Sequence, residues 1–360
     1  MTSYTLQDLQ QIQASFLKEL KDADSGLETS LSYIVHEIPE TSLVNEGESF
    51  QVLVIGGSVF KKALLRKEQG SLIIEQREEK DQPPFNTKED FLSYVSSQLY
   101  PDVTKVALNF AYPLAPVLER GRLDGTLIRG VKENAFTGLV GEKLGAEIEK
   151  YVLENLGREI IVSVANDTIC LLLSGLTQFS SRDIAGGIVG TGMNFALFLG
   201  ENKLVNLEAA NFNQFTQTEE GIYIDKNSNK PGASILEKEV SGGYLYKQFN
   251  YLIEKDDLNL PLLNSTAQLD ELAQSDNLEV AKTASMLLNK SASLTACVMG
   301  AITEFKRTDA VFIMEGSLFW NSTRYKENVK ETIAHLTPDY NITFGKIEDS
   351  PIFGGAKLIS

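Results

Sequence analysis

The order of apolar and polar positions predicts an α/β protein that begins with a helix. Apolar side chains recur at helical spacing between residues 6 and 20, and Thr5 followed three positions later by Asp8 is typical of a helix cap. After a mixed connector come three short apolar runs, separated by a Gly-Gly-Ser turn at 56–58 and by Gly70. Short apolar runs with glycine between them predict a β-meander.

The same order of elements then occurs a second time. Helices and strands alternate after the first meander, with predicted bounds of 88–98, 105–110, 139–156 and 160–165. A second meander begins at residue 184 and has its glycine turn at 190–192. Helices and strands follow it over 236–307, 311–314, 325–336 and 342–345, with a glycine-led segment over 354–360. Two copies of one order of elements predict a duplicated α/β architecture.

The two glycine turns are candidates for binding phosphate. A glycine turn between antiparallel strands directs backbone N–H groups to one point, which suits an anion. Plain hairpins use similar turns, so each turn alone has two interpretations. Because each turn opens one half of the chain, the pair makes a clamp for a polyphosphate about as plausible as two plain hairpins.

Composition excludes several classes of function. The chain has 33 basic and 49 acidic residues, a net charge of −16, which disfavours binding to nucleic acid or to an anionic membrane surface. No apolar run reaches the roughly 20 residues that cross a bilayer, and residues 1–8 do not resemble a secretory leader. Cys170 and Cys297 are the only cysteines and suit a reducing compartment, so we expect a cytoplasmic protein.

Asp167 is the best candidate for a general base. The chain has only two histidines, which excludes a Cys/His zinc cluster and leaves proton transfer to a carboxylate. Asp167 stands where a predicted buried strand ends and a helix begins, and such strand ends face the ligand in open α/β sheets. The alternative is that Asp167 only caps the helix, a common role for aspartate. The default interpretation is likewise that three further candidates are charges exposed to solvent, namely Glu208, Glu237 and Lys132.

Three segments carry the most informative motifs, Ile55-Gly-Gly-Ser-Val-Phe-Lys61, Val164-Ala-Asn-Asp-Thr168 and Ile188-Val-Gly-Thr-Gly-Met-Asn194. They resemble, in order, the first phosphate loop, the segment of the catalytic aspartate and the second phosphate loop of the eukaryotic-type hexokinase family. Segment 237–245, Glu-Lys-Glu-Val-Ser-Gly-Gly-Tyr-Leu, is similar to the family's Glu-Lys-Met-Ile-Ser-Gly-Met-Tyr-Leu. Further similar segments lie in the same order at 110–113, 131–132, 206–208, 231–232, 315–319 and 354–358.

The resemblance implies two actin-like (ribonuclease-H-like) domains, each a mixed sheet flanked by helices, with a cleft between them. It places a small domain at 48–167 and a large nucleotide-side domain at 168–360, with the helix and connector of 1–47 packed on the large domain. The implied reaction is transfer of the γ-phosphoryl group of Mg-ATP to the 6-hydroxyl of a hexose.

The resemblance also assigns roles to residues. Asp167 would accept the proton of the 6-hydroxyl, and Lys132 would offset charge on the transferred group. Four residues would bind the sugar, namely Asn166, Asn194, Glu208 and Glu237. The phosphates and adenosine would contact Gly56, Gly57, Ser58, Lys61, Gly190, Thr191, Gly192, Gly316, Ser317, Gly354 and Gly355. Magnesium would be carried by ATP with no direct protein ligand.

Departures from the family pattern keep other functions open. Val54 replaces an aspartate that helps to hold hydrated magnesium, and Ala111 and Val131 each replace a hydroxyl residue on the sugar side. These changes fit a catalytically weakened sugar-binding or regulatory protein. A kinase with another phosphoryl donor is a further alternative, because Val54 and Lys61 lie on the donor side. The remaining alternative is an α/β protein whose motif matches are due to chance.

Overall fold

The structure is a computed structural model, and it describes residues 4–57, 59–130, 134–257 and 259–360. Strands and helices alternate along most of the chain, which confirms the predicted α/β class. The strands are β1 (Ile34–Glu37), β2 (Ser49–Ile55), β3 (Val59–Glu68), β4 (Ser71–Asp81), β5 (Lys105–Phe110), β6 (Leu114–Glu119), β7 (Arg122–Leu127), β8 (Ile161–Asn166), β9 (Ile184–Val189), β10 (Met193–Phe198), β11 (Lys203–Asn206), β12 (Ala310–Glu315) and β13 (Ile342–Gly345).

The helices confirm several predicted bounds. The first helix has the predicted capping box, in which Asp8 N donates to Thr5 Oγ1 at 3.2 Å and Thr5 N donates to Asp8 Oδ2 at 2.8 Å. The α-helices are α1 (Leu6–Asp24), α2 (Lys88–Ser97), α3 (Leu144–Leu156), α4 (Asp167–Ser174), α5 (Glu219–Lys226), α6 (Ile235–Val240), α7 (Gly242–Lys255), α8 (Thr266–Leu272), α9 (Leu278–Lys306), α10 (Ser317–Asn321), α11 (Tyr325–Leu336) and α12 (Ser350–Ala356). Short 3₁₀ helices cover Gly175–Thr177 and Ala209–Asn211.

One predicted helix begins too early. The helix predicted over 139–156 starts at Leu144, because the residues before it pair with the end of β7. Gly141 N donates to Leu127 O at 2.8 Å, and Leu127 N donates to Glu142 O at 3.0 Å. Backbone groups that pair with a strand do not make helical hydrogen bonds.

Other differences concern short or C-terminal elements. The segment predicted to begin at Gly354 is in fact the second half of α12, so its two glycines lie inside a helix. The sequence pattern does not predict β1, β6 or β7, whose four to six residues mix polar and apolar side chains.

Three sheets organise the strands. The first has the order β1-β11-β10-β9-β12-β13, the second β4-β3-β2-β5-β8, and β6 pairs with β7 alone. In the second sheet β2, β5 and β8 run parallel, while β3 and β4 extend it by antiparallel pairing. The carboxyl ends of β2, β5 and β8 therefore share one edge of that sheet.

The described residues fall into two compact units. The first unit comprises the described residues of Met1–Tyr33, Gly187–Phe195 and Leu207–Gly345. The second comprises the described residues of Ile34–Gly186, Ala196–Asn206 and Lys346–Ser360. In the first unit α1 packs on α9, and Cys297 Sγ lies 3.3 Å from Leu9 O. In the second unit the sheet covers an apolar core rich in aromatic rings, including Phe85, Phe91, Phe110 and Phe136. The domain boundaries at residues 48 and 168 stay predictions.

Among the described residues, no helix has both the length and the apolar character that a bilayer crossing requires.

His36 gives the second unit a pH-dependent stability. This side chain is buried in β1, its Nδ1 lies 2.9 Å from Ile34 O, and burial lowers its pKa to about 4. The unfolded chain therefore takes up the proton first, so stability is complete above about pH 6.5 and falls as the pH drops towards 4. We expect the wild type to lose about 3 kcal/mol more unfolding free energy than His36→Gln between pH 7.5 and 4.

Urea unfolding at several pH values measures this difference. His335→Gln is the matched control, because His335 is exposed in α11, and it should keep the wild-type dependence. Equal pH slopes for the wild type and His36→Gln would show that His36 is not the titrating group.

Candidate functional site

The carboxyl ends of three parallel strands bring the first group of predicted residues together in the second unit. Ile55 of β2 is in register with Phe110 of β5, which is in register with Asn166 of β8. Ala111 N donates to Ile55 O at 2.9 Å, so the chain after β5 stays beside the end of β2. The first glycine turn and Asp167 thus follow strands that end side by side, where open α/β sheets bind ligands.

Asn166, rather than Asp167, is the N-cap of α4. Asn166 is buried, and its Oδ1 accepts a hydrogen bond from Thr168 N at 2.9 Å. Asp167 is the first residue of the helix and half-buried, and its Oδ1 accepts from Thr168 N at 2.7 Å and from Thr168 Oγ1 at 3.2 Å. The capping position is therefore filled by the neighbouring amide. A negatively charged side chain in the first turn of a helix interacts favourably with the helix dipole.

A buried network that the sequence analysis missed holds the first glycine turn. Tyr112 OH donates to Gly56 O at 2.9 Å and accepts from Asn134 Nδ2 at 2.8 Å, while Gln82 Nε2 also donates to Gly56 O at 3.0 Å. Burial is the main reason that the pKa of Tyr112 is raised, so the phenol stays a donor. The Phe-Ala-Tyr-Pro motif at 110–113 was the available signal, but its tyrosine could not be assigned to this turn without the fold.

Other residues predicted near the first turn are placed differently or not described. Lys61 lies on β3, and its Nζ is 3.0 Å from Glu79 Oε2 on the neighbouring strand, so its charge already has a partner. Gly56 and Gly57 lie directly after β2, as expected for the turn. The predicted residues Ser58 and Lys132 lie outside the described residues.

The second glycine turn, in the first unit, is closed and tightly packed. Gly190 N donates to Gly192 O at 2.9 Å, and Gly242 N at the start of α7 donates to Gly190 O at 2.7 Å. Gly316 has a φ of +109°, and a Cβ there would come far inside van der Waals contact with Val189 O. The backbone at this position accordingly requires glycine.

Three predicted sugar-binding residues lie close to this turn. Glu237 Oε2 accepts a hydrogen bond from Met193 N at 3.2 Å, directly after the turn. Asn194 Oδ1 accepts from Phe195 N at 2.8 Å and from Ala209 N at 3.2 Å. Glu208 precedes Ala209 and has a φ of +51°, which is uncommon for a residue other than glycine and marks a constrained backbone.

A cavity of about 590 Å³ opens beside the second turn, within the range of about 300–1,000 Å³ that small-molecule sites occupy. Among the residues that line this cavity, Tyr246 and Leu318 offer apolar surface. Predicted residues Gly190, Thr191 and Ser317 line it. The structure therefore joins the second glycine turn to the segment that follows β12.

Gly354 and Gly355 do not take part in either group. Both are buried in α12 of the second unit. A Cβ on Gly354 would clash with the carbonyl of Cys170 in α4, and a Cβ on Gly355 would lie 2.7 Å from Val52 Cγ1 in β2. These glycines allow α12 to approach its neighbours closely, and their predicted contact with a nucleotide stays a prediction.

Comparison with known proteins gives consistent matches. Residues 247–360 match the family model described as Hexokinase. The chain is 27% identical over 250 residues to Hexokinase-1 of Spinacia oleracea, covering 60% of this chain and 50% of that protein. It is 23% identical over 409 residues to the hexokinase of Kluyveromyces lactis, covering 94% and 83%. The chain thus spans about half the length of the spinach relative.

Solved structures give the fold. A hexokinase from Schistosoma mansoni complexed with glucose has a TM-score of 0.79 at 19% identity, covering 99% of this chain and 95% of that one. The similarity confirms the predicted fold. The chain is therefore similar to hexokinases in sequence, over the segments matched by the family model and the curated relatives, and in fold.

Proposed function

We propose that the chain is an ATP-dependent hexose kinase that phosphorylates the 6-hydroxyl of its sugar. The observation that carries the proposal is the placement of Asp167 at the carboxyl end of β8, next to a helix cap supplied by Asn166. Because Asn166 is the N-cap, capping alone does not account for a carboxylate in that position. Glucose is the first hexose to test, because the Schistosoma mansoni hexokinase was solved with it.

In this proposal Asp167 accepts the proton of the 6-hydroxyl as its oxygen attacks the γ-phosphorus of ATP. A positioned general base typically contributes about 10²–10⁴-fold in rate. The bond between the γ-phosphorus and the bridging oxygen breaks, and ADP leaves. Lys132 is proposed to offset charge on the transferred group, on the strength of the motif alone.

The sugar is proposed to bind through Asn166, Asn194, Glu208 and Glu237. Each sugar hydroxyl that is buried needs both a donor and an acceptor, and amide and carboxylate side chains supply these. Glu237 accepts a hydrogen bond from Met193 N directly after the second turn, and Asn194 accepts one from Ala209 N directly after Glu208, which supports a shared role for these side chains.

The second glycine turn and its cavity fit a nucleotide. The cavity has the size and apolar lining that a nucleoside needs, and glycines let the backbone come close to phosphates. ATP with its magnesium ion supplies the phosphoryl group and part of the charge neutralisation. The residues proposed to hold ATP are Gly190, Thr191, Gly192, Gly316 and Ser317, together with Gly56 and Gly57 of the first turn.

A coupled assay for phosphorylated sugar tests the proposal. Purified protein is incubated with glucose, fructose, mannose or galactose, and with ATP, other nucleoside triphosphates or polyphosphate as donor. ATP-dependent product formation supports the hexose kinase. Product with another donor only would support the altered-donor alternative, and calorimetric sugar binding without product from any donor would support the non-catalytic alternative, which Val54 favours.

The role of Val54 can be tested by restoring the family's aspartate. Val54 is buried in β2, with Lys61 on β3 and Asn109 on β5 as its register partners. Because an outer-shell carboxylate is typically worth about 10–100-fold in metal affinity, Val54→Asp should lower the KM for Mg-ATP by about tenfold.

Steady-state kinetics with varied Mg-ATP measures this change, and Val54→Asn controls for size and polarity without charge. An unchanged KM in Val54→Asp, or an equal change in both variants, would show that the missing carboxylate does not limit Mg-ATP binding.

A further inference from the structure

Helix α6, which carries Glu237, is attached to the first unit by a buried ionic network. Glu239 lies two residues after Glu237 and is completely buried. Its carboxylate accepts hydrogen bonds from Thr218 N at 2.8 Å, from Thr218 Oγ1 at 2.8 Å and from Lys290 Nζ at 2.6 Å. One short helix is thereby tied to the start of α5 and to the middle of α9.

Lys290 is the centre of the network. Its side chain is only 4% exposed, and besides Glu239 it donates to Gln248 Oε1 at 2.6 Å and to Thr218 Oγ1 at 3.2 Å. Gln248 in turn donates from Nε2 to Lys238 O at 2.6 Å. The ammonium group is thus linked to α6 twice, through a side chain and through the helix backbone.

The surrounding residues are shaped around the Glu239 carboxylate. Gly221 in α5 has no room for a Cβ, because the carboxylate occupies that space. A second carboxylate, that of Glu220, is also buried, with Oε1 3.7 Å from Lys290 Nζ. Farther along α6, Ser291 Oγ donates to Val240 O at 2.6 Å. The contacts are directional and come from three helices.

Such a network is better suited to fixing a geometry than to adding stability. Replacing a buried ion pair by apolar groups is often neutral or stabilising, so burial of the pair needs another explanation. Directional contacts set the rotation of α6, and that rotation sets where the Glu237 carboxylate lies relative to the second glycine turn.

We propose that Glu239 and Lys290 are positioning residues that hold Glu237 in its sugar-binding orientation. This inference rests on the proposed sugar-binding role of Glu237. A catalytic or binding group must be held closely in place, and a displacement of about 1 Å can cost as much as 100-fold. The pair therefore acts mainly on sugar affinity, through the position of Glu237.

The test uses the full chain with two variants and one control. Lys290→Met leaves the Glu239 and Glu220 carboxylates buried without their cation, and Glu239→Gln/Lys290→Met removes the hydrogen-bonded pair of charges, which lowers the cost of folding. Lys255→Met is the matched control, because its ion pair with Glu219 in α5 is exposed. Thermal melting, KM for glucose, KM for ATP and amide hydrogen exchange of residues 235–240 are measured for each.

We expect the double variant to recover part of the melting temperature lost in the single variant, yet to keep a KM for glucose raised about tenfold or more, with a smaller rise in the KM for ATP. A wild-type KM for glucose in the double variant would overturn the proposal, because the network would then be only structural.

If the wild type neither binds sugar nor turns it over, the proposed function fails. Hydrogen exchange then tests, independently of sugar, whether the network holds α6 in place. Faster exchange of residues 235–240 in the double variant would support control of α6, and unchanged exchange would refute it.

Discussion

Replacing Asp167 with asparagine is expected to lower kcat for hexose phosphorylation by about 10²–10⁴-fold, because an amide cannot accept the hydroxyl proton. The substitution preserves size, and Asn166 still caps α4, so the fold and sugar binding should persist. We therefore expect the dissociation constant for glucose, measured by calorimetry, to change by no more than about threefold. The loss of activity would then be confined to the chemical step.

Asp183→Asn is the matched control for this prediction. Asp183 is an exposed aspartate of the same unit, close to the start of β9, and its replacement removes one charge without touching the sheet edge. It should leave kcat unchanged. Undiminished turnover by Asp167→Asn would refute the assignment of the base. The role of the carboxylate would then be to stabilise the N-terminus of α4 by its negative charge.

The predicted parts of the site are those that depend on local sequence. Strand β8 followed by α4, and the glycine turn between β9 and β10, are each specified by a few adjacent residues, so their bounds could be read from the pattern. Asn166 shows the limit of that approach. Either of two adjacent side chains could cap the helix, and only the three-dimensional geometry shows that Asn166 takes the N-cap.

Contacts between distant segments were beyond prediction from sequence. Residues 139–143 have helical spacing, but pairing with β7 decides their structure, and tertiary contacts commonly override local preference in this way. Lys290 and Glu239 are 51 positions apart, and each alone resembles an ordinary surface charge. Nothing in the sequence indicates that Tyr112 and Asn134 meet over Gly56.

Replacing Gly354 with alanine is expected to lower the free energy of unfolding by about 2 kcal/mol net, because overpacking costs up to about 3 kcal/mol. The new Cβ would clash with the backbone carbonyl of Cys170 in α4, and a backbone carbonyl cannot move aside as a flexible side chain can. The higher helix propensity of alanine offsets only about 1 kcal/mol. Urea unfolding measures the change as a lower midpoint at an unchanged slope.

Gly200→Ala is the control, because a Cβ at this exposed position between β10 and β11 would meet no atom within 4 Å, and its midpoint should stay near that of the wild type. Equal midpoints for the two variants would show that α12 does not approach α4 this closely. Since Asp167 is the first residue of α4, the strain in Gly354→Ala should also displace the proposed base. We therefore expect kcat to fall under conditions where the variant is still fully folded, whereas a purely global destabilisation would leave it unchanged.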